Sequence, residues 1–412
     1  MAVTFVALFS IASLVAIAVS RTRVPYTVAL VIVGLVVGSL EIVDPPALTK
    51  EFLFAVFLPG LVFEAAYNIH IRELRDSWRT VTALAVPGVV AAIGITGVLT
   101  VLSLRVTGIA PDFPWAAGIV FAALVSATDP IAVVSLFRKL GVPPRLTTLV
   151  EAESLFNDGT SIVALTLILA YLGGESTSLG MLGLRFLLVV CGGAAVGGAI
   201  AYLIVRVTAK LNDPMIEITL TVLAAYGSFV LAEALHLSGV IATVAAGLSL
   251  GRTTRELAFS EDTRRAADAF WQYIAFALNS IVFLLIGFEV RPTMLAGAAG
   301  AITIAFLIVV LTRLAVVAGV AAIMRRTSEA FSARWVALIT WGGLRGALAM
   351  VLALALSPEL PWRSMLIDMT FGVVIASLLV QGLTIPLLTN QLIRQEPDSA
   401  TVAAYRALDQ ES

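Results

Sequence analysis

Charge is scarce in this chain. Lys, Arg, Asp and Glu make up 13% of its 412 residues, against 59% hydrophobic, whereas a soluble domain carries about 25% charged residues. That shortfall excludes a large soluble domain and points to a polytopic membrane protein. Two histidines, His70 and His236, are too few and too scattered for a histidine metal centre. The single cysteine, Cys191, rules out an internal disulfide, and its apolar, glycine-rich surroundings read as packing. A net charge of −1 removes any argument for nucleic acid as a partner. Met1–Ser20 lacks a basic n-region and reads as a first span, not a cleavable signal.

What is abundant is apolar sequence long enough to cross about 30 Å of hydrocarbon. Such segments lie near 3–20, 25–40, 52–69, 80–104, 115–137, 146–172, 179–209, 214–234, 238–250, 271–288, 295–324, 334–356 and 364–392. The expected fold is therefore all-α, with about 13 transmembrane helices in one domain over 1–392 and a short polar tail over 393–412. Loops after odd-numbered spans hold seventeen Lys or Arg, from Arg21 and Arg23 to Arg326 and Arg334. Loops after even-numbered spans hold five, Lys50, Arg105, Arg185, Arg291 and Arg363. The positive-inside rule then puts the N-terminus outside and the C-terminus in the cytoplasm of a bacterial-type inner or plasma membrane. Arg394 and Arg406 in the tail agree. Trp115, Trp271, Trp335 and Trp362 stand at span starts, as an interfacial aromatic belt requires.

Two spans are interrupted. Span 5 carries Thr128-Asp129-Pro130, where proline removes a backbone donor, and span 12 carries Gly342-Gly343-Leu344-Arg345-Gly346. Seven spans apart, they cross the bilayer in opposite directions. Two inverted six-helix repeats, about 1–172 and 214–392 and linked by span 179–209, would place them equivalently. Paired broken helices in such halves point to the midplane site of a transporter.

Charged groups at bilayer depth cost roughly 2.5–3.5 kcal/mol on insertion scales, so those retained there line a pathway or pair with one another. Asp158 is the first candidate: span 6 contains no basic residue, and Ser154, Asp158 and Ser161 share a helix face. Asp158, Ser154 and a broken-helix carbonyl at Thr128 would supply the oxygens a monovalent cation needs. Glu153 and Asn157 form an adjacent face. Asp129 reads as a second ligand or as a structural charge at the break. Glu153 and Arg313 are candidate partners in a buried pair, and Arg345 is expected to face Asp129 or free carbonyls. Glu64 is either an acid on the proton path or an interfacial one, and Glu217, Glu233, Glu289 and Asp368 read as interfacial.

FLPGLVFEAAYNI (57–69), SATDPIAVVSLF (126–137), ESLFNDGTSIV (153–163), SGVIATVAAGLSLG (238–251), Arg313 and WGGLRGALA (341–349) resemble, in that order and spacing, the NhaP-type sodium/proton antiporters and the related animal exchangers. The resemblance implies a homodimer in which a six-helix core moves against a dimerisation domain, with the broken helices crossed. It implies a cation held beside Asp158 with oxygens from Ser154 and Thr128, Asp129 at the helix crossing, and Glu64 nearby. It also implies a core salt bridge between Glu153 and Arg313, with Arg345 as the arginine of the second break. Asn157 stands where electrogenic relatives carry a second aspartate, which implies electroneutral exchange of one Na⁺ for one H⁺, with membrane lipids as the other partner. No cofactor and no enzymatic activity are implied. Alternatives are a potassium/proton antiporter, with Li⁺ also open as cargo, or a protein like a K⁺ efflux channel.

Overall fold

The computed structural model describes residues 2–19, 22, 24–40, 53–174, 178–208, 213–253, 261–290 and 292–393. The tail from 394 onward, and Arg21, Arg23, Lys50, Lys210, Arg255 and Arg291 of the orientation count, lie outside the described residues. Among those described, the chain is helical with no strand. The helices are α1 (Ala2–Val19), α2 (Tyr26–Ser39), α3 (Leu58–Asn68), α4 (Ile71–Arg75) and α5 (Trp78–Val106). Next come α6 (Trp115–Leu124), α7 (Ile131–Leu140), α8 (Pro144–Leu172), α9 (Leu179–Thr208), α10 (Pro214–Ala234) and α11 (Gly239–Thr253). The last are α12 (Glu261–Glu289), α13 (Pro292–Gly297), α14 (Ala299–Met324), α15 (Ala333–Trp341), α16 (Ala347–Leu354) and α17 (Arg363–Ile393).

Seven stretches, within α5, α8, α9, α10, α12, α14 and α17, are long and apolar enough to cross a membrane unaided. Parts of α1, α2, α6 and α11 are apolar but shorter. Several helix ends follow from local chemistry. The Asp213 carboxylate accepts from the Met215 and Ile216 amides ahead of α10, and Ser332 Oγ accepts from the Trp335 amide ahead of α15. Gly141, at φ +68°, closes α7 with a left-handed residue. Proline at N1 starts α8 without sacrificing a hydrogen bond.

Two apolar clusters hold the bundle. The smaller one joins Phe63 and Tyr67 of α3, Ala201 and Ile204 of α9, Ala224 and Ala225 of α10, Ala246 and Leu250 of α11, and Trp271 of α12. The larger takes in α2, α5, α6, α8, α14, α16 and α17. Membrane helices gain little from excluding lipid, so they associate where small residues allow backbones to touch. Gly197 is such a residue: a Cβ there would run into the carbonyl of Ala242 on α11.

Three sequence expectations change. Trp271 is not interfacial; α12 begins ten residues earlier at Glu261, which carries the indole into the smaller cluster, where its Nε1 donates to Thr221 Oγ1 (2.9 Å). Glu217 is buried in the first turn of α10, where the helix dipole favours an acid. Cys191 is exposed on the outer face of α9 instead of packed inside, because the opposite face, with Gly193 and Gly197, turns toward α11.

Candidate functional site

Both interruptions are real breaks. Helix α6 ends at Leu124 and α7 begins at Ile131, with residues 127–130 in no regular element between them. Proline disfavours helix at the residue before it, and the Asp129 carboxylate accepts from the Ile131 amide (3.0 Å), which satisfies the first free donor of the new helix. Likewise α15 ends at Trp341 and α16 starts at Ala347, across Gly342–Gly346.

The two breaks cross in direct contact. The Asp129 amide donates to the Leu344 carbonyl (2.7 Å). A Cβ on Gly346 would lie 2.5 Å from Asp129 Cβ and 2.7 Å from its Oδ2, so only glycine fits there. Arg345 Nη1 donates to the carbonyls of Ser126 (2.8 Å) and Ala127 (3.2 Å). The arginine of one break thus satisfies backbone acceptors that the other leaves open.

Helix α8 passes beside the first break and presents three directions to it. Consecutive helical residues diverge by roughly 100°, so Asn157 and Asp158 cannot serve the same space. Ser154 lies between them and bonds the break: its hydroxyl donates to the Thr128 carbonyl and lies 3.0 Å from Thr128 Oγ1. Asn157 turns into a closed network. Its Nδ2 donates to the Ser126 carbonyl (3.0 Å) and approaches Thr128 Oγ1 (3.3 Å) and Glu153 Oε1 (3.4 Å). Its Oδ1 accepts from Ser161 (2.8 Å), whose oxygen accepts in turn from Ser126 (2.8 Å). Ser161 therefore joins Asn157 instead of sharing open space with Asp158.

Asp158 turns the other way. Its Oδ1 is buried and has no hydrogen-bond partner in the structure, and the residue lines a cavity of about 1480 Å³. Thr128, Asp129, Pro130, Gly346, Glu64 and Glu151 line the same cavity, whereas Asn157, Ser154, Glu153 and Arg313 do not. Arg138, Lys139, Thr22, Pro25 and Gln391 also line it, so it reaches the end of the bundle that carries the basic loops after spans 1 and 5. Glu64 accepts from Asn68 (2.8 Å), and Glu151 pairs with Arg138 (3.1 Å).

Behind α8, Glu153 and Arg313 form a two-pronged ion pair, Nη1 to Oε1 and Nη2 to Oε2, each at 2.7 Å, with both residues buried. Such parallel bonds are among the strongest side-chain contacts. Gly343 lies against this guanidinium, since a Cβ there would sit 2.9 Å from Nε. The sequence reading missed several buried partners. Glu329 accepts from the Arg79 amide (3.2 Å), the Thr80 amide (2.7 Å) and the Thr80 hydroxyl (2.8 Å), and so holds the loop after α14 onto the start of α5. Ser377 and Gln381 bond to the second break, and Ser126 Oγ, on the first, donates to Ser161 of α8. Only Gln381, an amide deep in an apolar span, carried a sequence signal.

A multi-pass helical membrane protein whose discontinuous helices cross beside a buried acid has the architecture of a secondary transporter. The chain belongs to the sodium/hydrogen exchanger family, whose transmembrane model matches residues 6–391. It is 38% identical over 368 residues to the low-affinity Na⁺/H⁺ antiporter NhaS1 of Synechocystis, covering 88% of this chain and 68% of that one. To the Na⁺/H⁺ antiporter NhaP of Pseudomonas aeruginosa it is 33% identical over 362 residues, 86% and 84% of the two chains. The fold matches the structure of the sodium proton antiporter MjNhaP1 from Methanocaldococcus jannaschii at pH 8, with a TM-score of 0.73 at 20% identity over 94% of this chain and 97% of that one.

Proposed function

We propose that the chain is an electroneutral antiporter that exchanges one Na⁺ for one H⁺ at Asp158 by alternating access. The observation that carries this reading is Asp158, a half-buried residue whose carboxyl meets the Thr128 backbone and whose Oδ1 is buried with no hydrogen-bond partner, lining a cavity that reaches one end of the bundle. A bare carboxylate away from water is costly, so the site favours a crossing made only with a proton or a cation aboard. The cation would sit beside Asp158 and Thr128 on the cavity wall, with Ser154, whose hydroxyl bonds Thr128 behind that wall, as the oxygen that must turn to reach it, and Asp129 holding the crossing. The closed bonding of Asn157 supports a single exchanging carboxyl, hence one charge for one charge. Glu64, beside the same cavity, fits a place on the path between solution and Asp158.

The Lys and Arg distribution supports a cytoplasmic opening for the cavity, a C-terminus inside and an N-terminus outside. The crossed breaks are consistent with inverted repeats over about 1–172 and 214–392, with 179–209 between them. Exposed apolar residues on α9, among them Leu184, Leu187, Leu188 and Leu203, suit a covering of lipid and a second copy of the chain.

Sodium-driven proton flux in proteoliposomes, with an internal pH dye and a clamped membrane potential, tests the reading. Exchange should be unchanged by the imposed potential and absent in Asp158→Asn protein that remains folded. Retained exchange in that variant would overturn the assignment. A response to potassium in place of sodium would keep the mechanism and replace the cargo.

A further inference from the structure

The two broken helices are held by matching side-chain devices, and only one of them lies in a motif of the sequence. At the first break, the Asn157 amide donates to the Ser126 carbonyl (3.0 Å), just past the end of α6, and its Oδ1 accepts from Ser161, one turn along α8 (2.8 Å). At the second break, the Gln381 amide donates through Nε2 to the Trp341 carbonyl (3.2 Å), at the end of α15. Its Oε1 accepts from Ser377, one turn away on α17 (2.7 Å). The Ser377 oxygen accepts in turn from the Arg345 amide (3.0 Å). An amide–hydroxyl pair on the following long helix therefore caps the first half-helix in each case. Ser377 and Gln381 are both buried and delimit the one wide, π-type turn of α17, Ser377–Gln381. Such turns cluster where a helix serves a special site.

The geometry points to Gln381, with Ser377, as a positioning residue for ion exchange: the counterpart of Asn157–Ser161 that fixes the second break against the first. The chain of bonds is short. Gln381 and Ser377 hold Trp341 and the Arg345 backbone. The Arg345 side chain holds the Ser126 and Ala127 carbonyls, and the neighbouring Leu344 carbonyl holds the Asp129 amide. Releasing Gln381 leaves the Trp341 carbonyl without that donor and frees the segment whose Gly346 packs on Asp129. The orientation of the amide is defined by its neighbours, a carbonyl on one side and a hydroxyl on the other, so a purely apolar side chain of equal length cannot replace it.

The functional part of this inference rests on the antiport reading, and the experiment separates the two. Backbone hydrogen exchange across 342–347 is measured in purified wild type and Gln381→Met, alongside sodium-driven proton flux per amount of folded protein over a range of sodium and pH. Gln381→Met is expected to speed exchange at the Arg345 amide. It should also raise the apparent KM for sodium about tenfold, as for one lost buried hydrogen bond. Gln381→Glu should recover the wild-type KM at the acidic end of the range. There a neutral carboxyl donates to Trp341 and accepts from Ser377, whereas at the alkaline end, unable to donate, it should match the Met variant. A role confined to stability would lower the yield of both variants without this pH-dependent rescue. Ser377→Ala removes the acceptor of the Arg345 amide itself, so it should speed exchange at that amide at least as much as Gln381→Met while raising the KM less, because Gln381 still holds Trp341; it serves if Gln381→Met does not fold. Unaltered KM, pH profile and hydrogen exchange in the Met or Ala variant would overturn the proposal. If wild type shows no sodium-driven flux, the antiport reading fails; accelerated exchange at Arg345 would still support the clamp, and unchanged exchange would refute it.

Discussion

Removing one member of the Glu153–Arg313 pair is expected to cost more than removing both. Two 2.7 Å charge-assisted bonds join the residues, and both are buried. Breaking a buried pair from one side leaves an uncompensated charge, at roughly 3–5 kcal/mol, whereas replacing both partners with apolar groups of similar size is often close to neutral. The surroundings make the two single variants unequal. Glu153 in an Arg313→Met protein keeps a contact from Asn157 Nδ2 at 3.4 Å. Arg313 in a Glu153→Leu protein has no such substitute among the described residues, since both of its hydrogen bonds there go to Glu153 and its Nε already lacks a partner. Glu153→Leu should therefore fall at the upper end of the range, Arg313→Met at the lower end, and the double variant within about 2 kcal/mol of wild type. Reversible unfolding in mixed micelles, followed by tryptophan fluorescence, measures all four proteins. Additive losses in the double variant, about 6–10 kcal/mol from the two single costs, would refute the view that an isolated buried charge is what destabilises.

Three further outcomes follow from the same geometry. On the proposed one-for-one exchange, Asn157→Asp should carry no sodium-driven current in potential-clamped proteoliposomes. The change removes the donor to Ser126 and puts a second carboxylate about 3.4 Å from Glu153, where two full charges would repel by about 5 kcal/mol at an effective dielectric constant near 20; a sodium-driven current would contradict this. Gly346→Ala should abolish flux and destabilise the protein by about 1–3 kcal/mol, because its methyl group would sit 2.5 Å from Asp129 Cβ; wild-type flux would show that the crossing tolerates displacement. Arg138→Gln should destabilise by about 1–3 kcal/mol, less than Glu153→Leu, since the arginine side chain is 53% exposed while the Glu151 side chain it leaves is 9% exposed, and a melting shift as large as that of Glu153→Leu would count against that.

The sequence alone determined the class of structure and much of the site. Apolar runs of membrane length, few charges and the Lys and Arg alternation define a polytopic helical bundle, because bilayer thickness and insertion energetics act on segments one at a time. Proline at 130 and the glycines around Leu344 mark the breaks for the same local reason. Glu153 and Arg313 stand out as buried charges with few possible partners. Folding decided what depends on direction and on long-range contact. The divergence of consecutive side chains on α8 sends Asp158 to the cavity and Asn157 into a closed network, although the two are neighbours in the chain. Trp271 and Glu217 are buried because α12 begins earlier and α10 packs more deeply than hydropathy alone indicates, while Cys191 is exposed because the glycine face of α9 is the one that packs. Gln381 and Ser377 meet the second break across more than thirty residues of chain, and no local pattern encodes a hydrogen bond between segments that only packing brings together.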